Sequence, residues 1–239
     1  MLSAARLVAA WSLDRSVPPH RRLARLVRAM DDTRACGDDT LGDRNRRLLR
    51  LHCALVRGPL EACVKCSACG VDNELDLPLK AFLDTPAAPR DARVKLNLGR
   101  GMGVFRLPRM TDIEAAAASH DVRSAVLERC RVDGAGSVLH ELAMLRLGRR
   151  FEVIDPLSNI VVNITCVGCG TALAASVEVA ALVAHEIDAI VEGLYRDVDR
   201  LASTYGWSED AILALPVERR HRYVAMAALR GAVPPQARA

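Results

Sequence analysis

Aromatic residues are scarce in this chain. Phenylalanine, tyrosine and tryptophan together make up 3% of 239 residues, and they are scattered along the sequence. Proteins that bind single-stranded nucleic acid stack its bases on aromatic side chains within a basic surface. Lys65, Lys80 and Lys95 are the only lysines, and the formal net charge is only +4. The composition therefore disfavours a nucleic-acid-binding protein.

The sequence also lacks a long hydrophobic run. No stretch reaches the roughly eighteen apolar residues of a membrane-spanning helix, so we expect no membrane association. The N-terminal segment carries Arg6 within its apolar part and lacks a small-residue cleavage site, which predicts an amphipathic helix and not a signal peptide. Eight cysteines without such a signal indicate a reducing compartment, where paired cysteines hold metal more often than they form disulfides. We expect a cytoplasmic protein.

Helical periodicity dominates both ends of the chain. Residues 1–57 predict three or four short helices, and apolar residues at steps of three and four predict one long helix over 178–205. Gly206 is placed to end that helix, and Ser208 to cap a short one after it. Pro216 suits the first turn of a last helix.

Three further helix boundaries are predicted from local signals. Asp43 is a candidate N-cap of a helix that ends at Gly58. Thr111 and Glu114 have the spacing of a capping box at the start of one or two alanine-rich helices. Gly148 is placed to close a helix in the segment "SVLHELAMLRLG".

Three stretches show the alternation of half-buried strands. They are residues 71–77, a hairpin over 94–108 around the glycine-rich "GRGMG", and residues 160–165. In the first of them Val71, Leu75 and Leu77 form the apolar side, and Asn73 is counted with the polar residues.

Two Cys-x-x-Cys-Gly elements, in "CVKCSACG" and "CVGCG", carry the strongest chemical signal. In a zinc knuckle a tight turn directs two thiolates at one ion, and the following glycine permits the backbone conformation. Two knuckles complete a tetrahedral site, which predicts structural Zn²⁺ held by four ligands: Cys66, Cys69, Cys166 and Cys169. Closing so long a loop costs about 4 kcal/mol, whereas zinc-thiolate binding is worth roughly 10 to 16 kcal/mol. We find no internal repeat beyond these two elements.

Other readings of the cysteines are weaker. A redox pair would need a thioredoxin-like context, and catalytic zinc would need an open position with a histidine or carboxylate ligand. Cys63 could replace Cys69 beside Cys66, but the glycine after Cys69 favours the later pair. Cys36, Cys53 and Cys130 lie in or beside helical patterns and are expected to be small apolar residues.

No catalytic motif is complete. "HELAM" and "HEIDA" begin like a zinc-protease helix, but Met144 and Ala189 stand where the second histidine would be. "GRGMG" lacks the lysine and hydroxyl residue of a phosphate loop, and no nucleophile elbow occurs. We expect a protein that is not an enzyme and has no small-molecule substrate.

The predicted fold is α+β and mostly helical, with a zinc-ribbon-like β element stapled by the four cysteines. The predicted regions are an N-terminal helical region (1–57), the β element (58–98 and 150–176), a hairpin and helical insert between the knuckles (99–149), and a long helix with a helical tail (177–239).

Three blocks together resemble a known family: "LGDRNRRLLRLHCALVRG", the distant CxxCG pair, and the C-terminal "HEIDAIVEGLYRDVDRLASTYGWSEDAILALPVERRHRYVAM". The family comprises the hub assembly chaperones of T-even-like phage baseplates and their relatives in phage-tail-like contractile injection systems. Its members usually carry proline after the first cysteine of each knuckle, where this chain has Ser67 and Val167. The departure leaves all four ligands in place.

The resemblance implies a cytoplasmic, non-enzymatic protein that helps to assemble a baseplate or becomes part of it. Its partners would be other baseplate, hub or spike proteins. We expect the tail that begins at Tyr205 to contact such a partner, with Trp207 and Tyr223 as apolar anchors and Arg219 and Arg220 as polar ones. Alternatively, Trp207 packs against the end of its own helix. The rival function is a zinc-ribbon module that binds nucleic acid.

Overall fold

The computed structural model describes residues 3–12, 17, 19–30, 39–99, 101–134 and 139–231. Helices predominate over small antiparallel sheets in these residues, so the predicted α+β class is confirmed. The helices are α1 (Ala4–Ser12), α2 (Pro19–Met30), α3 (Leu41–Leu55), α4 (Leu79–Asp84), α5 (Met110–Ala116), α6 (Val122–Arg129), α7 (Glu141–Ile154), α8 (Val179–Tyr205), α9 (Glu209–Leu213) and α10 (Val217–Gly231). The strands are β1 (Leu60–Lys65), β2 (Asp72–Leu77), β3 (Arg93–Asn97), β4 (Met102–Arg106), β5 (Arg131–Asp133), β6 (Ile160–Thr165) and β7 (Ala172–Val177).

The chain divides into two compact units, one of residues 31–183 and one of residues 1–30 with 184–239. The regions proposed from sequence stay predictions. Among the described helices, none combines the length and the apolar character that crossing a bilayer requires.

The core of the larger unit forms between α6, α7 and a three-stranded sheet in the order β3–β4–β5. Phe105 from the central strand and Leu147 from α7 are fully buried, and Val94, Leu127 and Phe151 pack around them. The predicted hairpin is present as β3 and β4, whereas the short strand β5 was not predicted. The sheet and its helices lie in the chain between the two cysteine hairpins.

The two cysteine hairpins are one structure repeated at an interval of 100 residues. Strands β1 and β6 begin at Leu60 and Ile160, and the pairing registers run in parallel from Leu60↔Leu77 and Ile160↔Val177. Each hairpin follows a helix, α3 or α7, and each precedes another, α4 or α8. The repeat therefore extends beyond the cysteine elements, which the sequence analysis did not find because few of the paired residues are identical.

Two predicted helix caps are wrong by a few residues. The N-cap of α3 is Thr40, whose Oγ1 accepts the backbone N–H of Asp43 at 3.1 Å. Helix α5 is capped around Arg109, whose backbone N–H donates to Asp112 Oδ2 at 2.9 Å. The Asp112 carboxylate also receives both terminal nitrogens of Arg106, at 2.6 and 2.8 Å. This contact from β4 favours a start before Thr111.

Two glycines predicted to end helices do not do so. Helix α7 continues through Gly148 to Ile154, because Phe151 beyond the glycine is buried in the core of the larger unit. Helix α3 ends at Leu55, where the following Val56 turns to an extended backbone before Gly58 is reached. In α7, burial of the turn after the glycine outweighs the local signal for a helix end.

The smaller unit contains most of the long helix, from Ala184 onward. The prediction of 178–205 is confirmed by α8, and Gly206 follows it with a positive φ of 69°. Ser208 caps α9 as predicted, by accepting the backbone N–H of Ala211 at 3.3 Å. Pro216 lies one residue before α10, whereas the prediction placed it in the first turn.

Helices α1 and α2 pack against α8 through a buried tryptophan. Trp11 Nε1 donates to Asp188 Oδ1 at 2.6 Å. The guanidinium of Arg22 lies over the Trp11 ring at 4.3 Å and pairs with the same carboxylate at 3.5 Å. The predicted N-terminal helix thus has an apolar face that is buried within its unit.

Candidate metal centre

The two knuckles have the same backbone geometry. In the first, Cys66 N–H donates to the Val71 carbonyl at 2.8 Å, and Gly70 N–H donates to the Cys66 carbonyl at 2.9 Å. The second repeats both bonds at 2.9 Å between the equivalent residues. Gly70 and Gly170 have φ of 76° and 74°, a region that side chains with a Cβ rarely adopt, so each CxxC turn requires its glycine.

The four predicted ligands come together. The sulfur atoms of Cys66, Cys69, Cys166 and Cys169 all lie within 4.8 Å of one another. Cys66 Sγ is 3.7 Å from Cys169 Sγ, and Cys69 Sγ is 3.6 Å from Cys166 Sγ. A tetrahedral ion with metal–sulfur bonds near 2.3 Å sets its ligands about 3.8 Å apart. The spacing fits a four-thiolate metal site and is too long for disulfides, in which the sulfurs are about 2 Å apart.

The centre is closed by its own ligands. Cys66 and Cys166 are each 2% exposed, whereas Cys69 and Cys169 face solvent. Within the described residues, the only group of side chains spaced to hold a metal consists of these four cysteines. Four thiolates fill a tetrahedral shell, which leaves no position for a reacting water. Such a site can stabilise a fold.

The thiols differ in acidity. A hydrogen bond from the backbone N–H of Cys169 outweighs burial and lowers the pKa of Cys166 to about 6. For Cys69 the Val71 backbone N–H favours the thiolate, but hydrogen bonding with Cys169 and the other thiols raises the pKa to about 12. Because a metal takes thiolates as ligands, loading the site must release protons.

A buried amide joins the two hairpins, and sequence reasoning missed it. Asn73 is 3% exposed, and its Nδ2 donates to the carbonyls of Val64 and Val71, both at 3.0 Å. Its Oδ1 accepts the backbone N–H of Val167 in the other knuckle at 2.9 Å. The prediction that Asn73 belongs to the polar side is wrong. Asn73 is two residues from Leu75 and four from Leu77, so strand alternation places all three on one face. That alternation was the signal in the sequence from which its burial could have been predicted.

The second knuckle also approaches the first very closely. A Cβ built on Gly168 would lie 2.9 Å from Val71 Cγ2, so only glycine fits there without movement. The corresponding position of the first knuckle, Ala68, carries a side chain. The repeat is therefore asymmetric, with the glycine in one knuckle and the bridging asparagine beside the other.

The remaining cysteines do not join the site. Cys63 is exposed on β1, opposite Glu74, and Cys53 is exposed on α3. Cys130 is fully buried in the core of the larger unit, and burial raises the pKa of its thiol to about 12. Cys36 lies outside the described residues.

The candidate partner-binding residues lie around an aromatic cluster in the smaller unit. The Trp207 ring stacks on Tyr205 at 4.9 Å and meets Tyr223 edge-on at 4.9 Å. Arg219 is exposed, with its guanidinium 5.9 Å from the Tyr223 ring. Arg220 is only 4% exposed, and its Nε donates to Asp197 at 3.0 Å. Trp207 thus packs at the end of its own helix, while the partner contact stays a prediction.

No protein-family model, curated protein or solved structure matches this chain. The baseplate resemblance therefore stays a prediction, and the four-thiol cluster is the chemical feature on which a function can be argued.

Proposed function

We propose that this chain is a non-enzymatic assembly factor or component of the baseplate of a phage-tail-like contractile injection system. The observation that carries the proposal is the closed four-thiol centre, which joins two hairpins 100 residues apart in sequence. Such a centre supports a rigid surface and offers no reactive position. The resemblance of the flanking helices to baseplate assembly proteins is the reason for proposing a contractile injection system.

The metal of this proposal is Zn²⁺. A tetrahedral set of four thiolates suits zinc or iron. Zinc is the choice that needs no electron-transfer role, and the knuckle glycines and the close sulfur spacing are compatible with it. Elemental analysis of protein purified under reducing conditions should return one zinc per chain, and stoichiometric iron or no metal would contradict this part of the proposal.

Contact with the partner is assigned to the exposed side of the C-terminal helices. Arg219 offers a charged group at the surface beside Tyr223. Arg220 is tied to Asp197, so its role in the proposal is to fix α10 against α8 within the smaller unit. The polar anchor to test is therefore Arg219.

Co-expression with baseplate, hub and spike proteins tests the assembly role. The chain should sediment with assembling particles, and Arg219→Glu should reduce its capture by them with zinc content unchanged. Arg200→Glu is the matched control, because Arg200 is also exposed in the smaller unit, on α8. Equal capture of the unsubstituted chain, Arg219→Glu and Arg200→Glu would exclude this surface as the partner contact. No capture of the unsubstituted chain would exclude the proposed function.

A nucleic-acid-binding zinc ribbon is the alternative function. The paired knuckles favour it, while the net charge of +4 and the scarcity of aromatic residues count against it. Retardation of DNA or RNA in a gel, weakening steeply with salt, would favour this alternative.

A further inference from the structure

Strand β3 is an edge strand whose backbone faces a basic groove. It pairs only with β4 among the described strands. Leu98 N–H donates to the Gly101 carbonyl at 2.9 Å, so the even-numbered residues of β3 direct their backbone groups toward β4. Arg93, Lys95 and Asn97 therefore direct theirs outward. The Lys95 carbonyl confirms this by accepting a hydrogen bond from Arg150 Nη1 at 2.7 Å.

The groove beside this edge is lined by basic side chains, which suit an acidic ligand. It encloses about 350 Å³, and its described lining is Leu96, Asn97, Arg146, Arg149 and Arg150. The three arginines come from one side of α7, and the lining residues named here include no acidic side chain. The side chain of Lys95 is exposed on the edge strand. This concentration of positive charge contrasts with a chain whose net charge is only +4.

Apolar side chains stand beside the arginines on the outer face of α7. Leu142 is 61% exposed and Val153 is 80% exposed, and Leu145 is exposed between them. Nucleic acid would gain little from these side chains, whereas a partner segment that carries both acidic and apolar residues would use both kinds of contact.

We propose that an acidic, extended segment of a partner protein adds to the β3 edge. Its backbone pairs with Lys95 and Asn97, and its acidic side chains on one face meet Arg146, Arg149 and Arg150. Arg150 covers the edge carbonyl until the segment arrives and then pairs with one of its carboxylates. This surface deepens the proposed assembly role, on which it rests for the identity of the partner.

The probe is a fluorescein-labelled peptide that alternates glutamate with valine, titrated with the full-length zinc protein and followed by anisotropy. Saturable binding that weakens with salt is expected, together with slower hydrogen exchange of the β3 amides. A peptide that alternates lysine with valine should not bind. The double variant Arg146→Glu/Arg149→Glu should weaken binding about tenfold or more, because charge-assisted hydrogen bonds are lost. The matched control is Arg50→Glu/Arg57→Glu, at two exposed arginines of the same unit.

A second pair of variants separates the contribution of the β3 backbone to binding from that of the Lys95 charge. Lys95→Ala removes only the charge, whereas Lys95→Pro also removes the outward N–H without removing a donor to β4. Binding should be weaker for the proline variant than for the alanine variant. If Lys95→Pro fails to fold, hydrogen exchange in the unsubstituted protein decides: no protection of β3 on binding overturns strand addition.

Two results with the peptides would overturn the inference: no saturable binding of the acidic peptide, or equal binding of the lysine peptide. A third would be an oligothymidylate that displaces the acidic peptide and itself slows hydrogen exchange of the β3 amides. If the acidic peptide does not bind but Arg219→Glu still reduces capture by particles, only the proposed binding role of the β3 edge is excluded. If the chain binds the peptide but never sediments with particles, the β3 binding surface is supported and the assembly role is excluded.

Discussion

At the scale of single residues, Asn73 shows why a ligand list is an incomplete description of the metal site. The four cysteines were predictable because their spacing is a local property of each knuckle. The role of Asn73 depends on the second knuckle lying against the first, which is known only after folding. Its counterpart in the repeat is Leu173, which cannot make the same hydrogen bonds.

Replacing Asn73 tests this bridge. Asn73→Leu should lower the free energy of unfolding by about 1 to 3 kcal/mol, because the Val167 N–H loses its buried acceptor and the Val64 and Val71 carbonyls each lose one hydrogen bond. It should also weaken zinc binding, measured by competition with a chromophoric chelator. Asn73→Ser is the smaller polar control. Equal zinc affinity in Asn73→Leu and the unsubstituted protein would show that the knuckles meet without the amide.

Two glycines in helices predict opposite outcomes of the same substitution. A Cβ at Gly42 would overlap the carboxylate of Asp155, which also accepts the Gly42 backbone N–H at 2.9 Å. A Cβ at Gly148 would meet no atom within 4 Å. Gly42→Ala should therefore destabilise the protein, while Gly148→Ala should stabilise it by about 0.5 to 1 kcal/mol. Thermal unfolding of both variants provides the measurement, and the same sign for both would contradict the packing described.

At the scale of elements, most helices and strands followed from periodicity, and their boundaries followed less well. The long helix α8 was predicted almost to the residue because its apolar residues recur over seven turns and Gly206 follows. The starts of α3 and α5 were misplaced because contacts made after folding choose among several local capping signals. Strand β5 was missed because a strand of 3 residues carries too little pattern.

The start of α5 predicts a response to acid. Burial alone would raise the pKa of Asp112, but hydrogen bonds from the Arg106 side chain and the Arg109 backbone lower it below 3.8. The resulting stability is present above pH 3.8 and is lost as the pH falls through the lower pKa of the folded state. Asp112→Asn should cost about 2 kcal/mol at neutral pH and show a shallower loss of stability in acid. Urea unfolding at several pH values tests this, and parallel pH profiles would contradict it.

The knuckles make a prediction about individual thiols. Cys66→Ser should abolish stoichiometric zinc, because it removes one of four ligands from a buried position. Cys63→Ser is the matched control three residues away, at an exposed thiol outside the cluster. Zinc content by elemental analysis should fall in the first variant only. Loss of zinc in the control as well would reassign the first knuckle to the earlier cysteine pair.

At the scale of the whole molecule, the α+β class and the meeting of the two cysteine pairs were predictable, whereas the repeat was not. Hairpins of equal register can be built from sequences as different as those of residues 60–77 and 160–177, since only the turn chemistry and the strand alternation must agree. The insertion of a three-stranded sheet between the repeats further separates them in sequence.

Removal of the proposed zinc should destabilise the larger unit far more than a substitution that leaves the four cysteines in place. Structural zinc sites contribute on the order of 10 kcal/mol, which is comparable with the whole net stability of a domain. A strong chelator should lower the Tm of the transition that reports on the larger unit, and restored zinc should raise it again. An unchanged Tm would show that the hairpins are held by protein contacts alone.

Because both hairpins belong to one polypeptide, the centre is intramolecular. A metal bridging two separate subunits is lost on dilution, since its second pair of ligands leaves with the other subunit. Here the second pair remains tethered at a high effective concentration. Zinc occupancy should therefore be the same in dilute and concentrated solutions at a fixed free zinc level, so the chain can keep its shape when only a few copies are present.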